Sequence, residues 1–134
     1  MIDLIEAVAE PLVDAFRRPI TYLRVSVTDR CNLRCVYCMP EAGLPWIPKP
    51  DVLTFEEITS IVRAAASIGV RSIRLTGGEP LIRRDLDRLV AMIAAVPGID
   101  DIALSTNGLL LEQQAPALAA AGLRRVNVSL DTLH

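Results

Sequence analysis

From residue 22 onward, short β-branched runs alternate with helix-length segments whose apolar positions recur every three or four residues. That is the pattern of βα units around a parallel sheet. The first predicted strand spans residues 22–27 and runs into a loop with Cys31, Pro40, Pro45, Pro48 and Pro50. Its prolines exclude regular structure along it. The run TFEE at 54–57 is a capping box, so a helix starts there, with Phe55, Ile58, Val62, Ala65 and Ile68 on its apolar face. Gly69 stops that helix, and residues 70–75 form the second strand. Asp85 is the expected N-cap of a second helix with Leu86, Leu89, Val90 and Ile93 on one face and Pro97-Gly98 as terminator. Residues 101–104 read as the third strand. A third helix is predicted to begin near Gln113, which puts Pro116 in its first turn, and to end at Gly122. Residues 124–130 are the fourth strand, with Val126, Val128 and Leu130 on one face as an apolar edge.

Four parallel strands and three helices give an α/β fold, and right-handed crossovers would curl it into a partial TIM-like (β/α) barrel. At 134 residues, 51% hydrophobic and 22% charged, the chain suits one domain. A net charge of -2 supplies no general field for nucleic acid or an anionic membrane, so any phosphate recognition must be local. Asp3, Glu6, Glu10 and Asp14 precede the first basic residue, Arg17, the opposite of an export signal. The apolar runs near 91–99 and 115–123 are far shorter than the roughly 18 residues of a membrane span. A soluble, cytoplasmic protein is expected.

In (β/α) barrels the chemistry collects at the carboxyl ends of the strands. Here those ends carry SVTDRCNLRCVYC at 26–38, TGGEP at 76–80, STNG at 105–108 and SLD at 129–131. All three cysteines fall within the first of these. An odd count without an export signal argues for reduced thiols rather than disulfides. Cys31, Cys35 and Cys38 are spaced to wrap one face of a cubane, ligating three irons and leaving the fourth open. The alternatives are a zinc site, which normally wants four protein ligands while the only histidine is His134, or uncoordinated thiols. Strand alternation aims Arg24 and Arg74 into the barrel, where guanidinium groups need anions; otherwise they are surface arginines, as expected of Arg63, Arg83, Arg88 and Arg125. Glu79 either faces a ligand beside its Gly-Gly turn or is a solvated loop carboxylate. Asn107-Gly108 reads as a turn, Asp131 either orients a ligand or caps the next element, and Trp46 either packs or shields.

These motifs resemble the radical S-adenosylmethionine superfamily, whose CxxxCxxC is matched by Cys31, Cys35 and Cys38 with the aromatic Tyr37, and whose GGEP is matched by Gly77, Gly78, Glu79 and Pro80. Within it, the runs TDRCNLRCVYCMP, IRLTGGEPLIRRDL, LSTNGLLL and AGLRRVNVSLD, together covering about residues 18–132, are similar to the GTP 3′,8-cyclase family of molybdenum cofactor biosynthesis. The resemblance implies a lyase that converts GTP to 3′,8-cyclo-7,8-dihydro-GTP with a 4Fe-4S cluster and S-adenosylmethionine. It places the cluster on the three cysteines, S-adenosylmethionine on Tyr37, Gly78, Glu79 and Ser129, and GTP on Arg24, Arg74 and Ser105, the last standing where threonine is common. It also implies a one-electron reductant such as a flavodoxin or ferredoxin; the charge and the short apolar runs argue against nucleic acid or membrane as partner, and the apolar fourth strand leaves a homodimer possible. Residues 1–21 are expected as an N-terminal extension and 22–134 as a radical SAM core truncated after its fourth strand. The family's second set of cluster cysteines has no counterpart here, so an incomplete enzyme is expected. The alternatives are an inactive cluster-binding fragment or a radical SAM enzyme with another substrate.

Overall fold

The computed structural model describes residues 10–133; residues 1–9 and His134 lie outside the described residues, and with them much of the expected N-terminal extension. The elements run β1 (Tyr22–Ser26), α1 (Phe55–Ser67), β2 (Ser72–Thr76), α2 (Leu86–Ala94), β3 (Asp101–Thr106), α3 (Leu111–Ala121) and β4 (Arg125–Val128). The strands form one parallel sheet in the order β1-β2-β3-β4. Chain order and sheet order therefore coincide, as in a barrel wall.

Strand alternation decides which face is covered. Ile73, Leu75, Ile102 and Leu104 are fully buried and pack with Ile58 and Val62 of α1, Leu86, Leu89, Val90 and Ile93 of α2, and Leu118 of α3. The core is thus a layer between the sheet and its three helices. On the other face, Arg74 and Thr76 are half-buried and Arg24 and Ser26 exposed, so the concave side of the wall is polar and open.

The sequence signals hold locally, with informative departures. Both arms of the capping box form: Thr54 Oγ1 accepts from the Glu57 amide at 3.1 Å, and Glu57 Oε2 accepts from the Thr54 amide at 2.7 Å. Gly69, at φ +105°, takes the left-handed turn that ends α1. Asp85 stands at the N-terminus of α2 but makes no side-chain capping bond, because it is itself in the left-handed region at φ 56°. A type of turn, rather than a cap, starts that helix.

Pro116 is not in a first turn: α3 begins at Leu111, after a turn in which the Leu111 amide donates to the Gly108 carbonyl at 3.1 Å. Proline therefore sits inside the helix and removes one intrahelical bond. β4 is only four residues long, and Val126, Val128 and Leu130 are exposed as the expected edge. Arg83 is not a surface arginine. Its Nη1 and Nη2 donate at 2.6 Å to the Val27 and Leu53 carbonyls, its guanidinium lies 4.5 Å from the Phe55 ring centroid, and burial lowers its pKa. It stitches the loop after β1 to the start of α1.

Candidate functional site

The carboxyl ends of all four strands meet at one mouth. A cavity of about 310 Å³ there is lined by Cys31, Cys35, Tyr37 and Cys38 from the loop after β1, by Gly78 and Glu79 after β2, by Ser105 on β3, by Ser129 after β4, and by Arg24 from within β1. Nine of the ten residues singled out from the sequence share this one space. Arg74 is the exception. A larger cavity of about 590 Å³ lies behind the first loop, beside Arg30, Lys49 and Arg84, and holds none of the thiols.

Arg74 is nevertheless tied to Arg24. The two are register partners on adjacent parallel strands, so they stand side by side on the concave face about 4.8 Å apart at the backbone. Among the described residues neither forms an ion pair, and the buried Arg74 Nε has no hydrogen-bond partner. The Arg74 guanidinium lies 5.8 Å from the Tyr22 ring centroid. Like charges directly opposite on neighbouring strands are destabilising, and an anion between them would offset that cost. Arg125, in the same row across β3, differs: it is paired with Asp101, whose carboxyl it holds below the usual range.

The Gly-Gly turn is shaped by backbone contact. Continuing the ladder past β2, the Gly78 amide donates to the Thr28 carbonyl and the Glu79 amide to the Arg30 carbonyl, each at 2.8 Å. A Cβ on Gly77 or Gly78 would fall inside the van der Waals shell of those same two carbonyl oxygens. The glycines therefore let the cysteine loop lie directly on the sheet end. Glu79 is neither solvated nor open: at 2% exposure it accepts from the Leu81 amide, the Thr106 hydroxyl and the Asn107 amide. The sequence pattern shows a loop carboxylate; it cannot show that donors at the end of β3, 27 and 28 residues away, meet it.

The cysteine loop turns on itself, the Cys38 and Met39 amides both donating to the Cys35 carbonyl at 2.9 Å. The thiols are free, Cys31 and Cys35 half-buried and Cys38 exposed. Among the described residues no three cysteine, histidine, aspartate or glutamate side chains are drawn together around a point that a single ion would occupy. In a cubane each thiolate takes a different iron, so the ligands stand apart. Three soft, reduced donors on one cavity wall, with no histidine among them, fit an iron-sulfur cluster better than a closed zinc site.

Two residues left without a firm role by the sequence take part. Tyr37 Oη donates to the Asp131 carboxylate at 2.9 Å, closing the loop after β1 onto the end of β4. That bond, and after it the neighbouring Cys35 thiol, pushes the Tyr37 phenol up to about 12, so it stays a donor. Asn107 Nδ2 donates to Asn32 Oδ1 at 2.8 Å. Trp46 is 39% exposed, with the Arg30 guanidinium 5.9 Å from its ring centroid.

The sequence profile of the radical SAM superfamily matches residues 25–134. GTP 3′,8-cyclase of Pelotomaculum thermopropionicum is 63% identical over 121 residues, which cover 90% of this chain and 37% of that protein. The enzyme of the same name from Heliobacterium modesticaldum is 60% identical over 123 residues, 92% of this chain and 38% of that one. The chain thus spans little more than a third of the length of the curated relatives it matches. Among solved structures, BtrN in an open conformation superposes with a TM-score of 0.61 at 23% identity, over 83% of this chain and 50% of that one. At that identity the likeness is one of fold: four parallel strands and three helices arranged as in that protein.

Proposed function

The chain belongs to the radical SAM superfamily, and on that premise we propose that it carries the cofactor-binding part of a GTP 3′,8-cyclase. One observation carries the reading: the cysteine triad, the Gly-Gly turn, Ser129 and Arg24 line a single cavity at the carboxyl end of the sheet. Membership implies a 4Fe-4S cluster and S-adenosylmethionine as cofactors. Held by the three cysteines and the residues around them, they would supply the one-electron reductive chemistry and the hydrogen abstraction that cyclisation of GTP requires.

The residues of this chain hold and orient. Cys31, Cys35 and Cys38 would take three irons and leave one for the amino and carboxylate groups of S-adenosylmethionine. The Gly78 carbonyl, which accepts no backbone hydrogen bond among the described residues, is free to meet the amino group. Tyr37 and Ser129 face the same cavity and would bound the nucleoside. Arg24 and Arg74 would bind the triphosphate, the local positive charge that a net charge of -2 does not otherwise provide. The Ser105 hydroxyl, between them and the mouth, adds a neutral donor. No helix of the described residues is long and apolar enough to cross a membrane. Free thiols and a reduced cluster suit the cytoplasm, where a flavodoxin or ferredoxin would deliver the electron.

Arg24→Ala and Arg74→Ala are each expected to weaken GTP binding by roughly tenfold or more, the loss of a hydrogen bond between charged groups. Equilibrium dialysis at low salt measures it, with exposed Arg63→Ala on α1 as the control. Equal affinity for all three variants would contradict the triphosphate assignment.

A further inference from the structure

The buried Glu79 carboxylate faces no cation among the described residues, yet three donors converge on it. Oε1 accepts from the Leu81 amide at 3.0 Å and the Thr106 hydroxyl at 2.7 Å, and Oε2 from the Asn107 amide at 2.8 Å. The donors stand in the segment after β2, on the last residue of β3 and at the first position after it, so one side chain fixes both strand ends. The contacts continue outward. Asn107 Oδ1 accepts from the Leu109 amide at 3.1 Å, which orients the side chain so that Nδ2 donates to Asn32, between Cys31 and Cys35.

Residues 31–38 have few other anchors. Among the described residues, apart from the local bond of the Met39 amide to the Cys35 carbonyl, the remaining hydrogen bonds that leave this stretch run from Tyr37 and Cys35 to Asp131, itself exposed. We propose that Glu79, Asn107 and Asn32 form a positioning relay that carries the rigidity of the buried strand ends to the cysteine loop and sets where the thiols stand. Its importance to the chemistry rests on the reading that this loop holds a cluster. Glutamine cannot replace Glu79 in it: each carboxylate oxygen meets a backbone N–H, so either orientation of an amide sets donor against donor.

The test uses the whole chain, anaerobically reconstituted with iron and sulfide and also free of iron. Asn107→Ala and Asn32→Ala leave the carboxylate and its backbone donors in place. Each is expected to speed amide hydrogen exchange across residues 31–38, and cluster loss to a chelator, by about threefold, the scale of one exposed hydrogen bond. The double variant should be no faster than either single one, because both remove the same bond. Glu79→Gln should exceed them, at about tenfold; if it does not fold, the asparagine variants decide. Exchange and chelator loss at wild-type rates in the asparagine variants, or additive effects in the double one, would overturn the relay. So would a Glu79→Gln chain that loses only affinity for S-adenosylmethionine, since that marks Glu79 as a ligand contact alone. If wild type takes up no iron, the cluster reading falls, while exchange in the iron-free chain still decides the relay.

Discussion

Replacing Cys35 with serine is expected to reduce bound iron from about four atoms per chain to less than about one after anaerobic reconstitution. Serine keeps the size of the side chain but offers a hydroxyl that stays protonated and binds iron poorly, where the thiolate is the ligand. Cys35 is central to the loop, its carbonyl accepting from the Cys38 and Met39 amides, and those backbone bonds survive the substitution. The side chain lies outside the core cluster, so stability should stay within about 0.5 kcal/mol of wild type. Iron and sulfide analysis beside a thermal melt separates the two effects. Retained iron would mean that Cys35 is not a ligand.

Gly78→Ala should be the most damaging of the Gly→Ala substitutions, its added Cβ making the closest approach of any. Its Cβ would collide with the Arg30 carbonyl oxygen and carbon, which are backbone and cannot turn aside. Relief requires the cysteine loop to lift from the sheet, breaking the Glu79 amide bond to Arg30 and the Gly78 amide bond to Thr28. The expected cost is about 3 kcal/mol, the upper part of the range for overpacking. In a domain of this size that lowers the melting temperature by roughly 10–20 °C. Cluster uptake should fall with it, since the displaced loop carries the thiols. Gly43→Ala, with nothing near the added Cβ, is the matched control, although its φ of +78° gives it a small cost of its own. A Gly78→Ala melt equal to the control would contradict the close approach.

The two variants act at different distances from the chemistry, and that difference shows what could be read from the residues alone. The fold was legible because β-branched runs and a capping box are local signals: Thr54 and Glu57 bond to each other three residues apart. The cysteine spacing and the Gly-Gly turn are equally local, and the residues they marked line one cavity at the strand ends. Arg24 and Arg74 followed from alternation, although not the fact that they are direct register partners. Pro116 misled about the start of α3, because an interior proline is tolerated once the helix packs against α2. Glu79, Asn107, Asn32 and Asp131 were only half legible. Their bonds join residues 28, 75 and 94 positions apart, and such pairings exist only after the strand ends have been brought together. Arg83 was misread for the same reason: its carbonyl partners belong to other segments.

The proposal stands or falls on the triad. Anaerobic reconstitution of the unmodified chain with iron and sulfide, followed by metal analysis and electron paramagnetic resonance of the reduced form, measures it directly. The expected result is about four irons per chain and a reduced-cluster signal that changes when S-adenosylmethionine is added, because the fourth iron is open to it. Stoichiometric zinc with no iron uptake, or a cluster signal indifferent to S-adenosylmethionine, would contradict it.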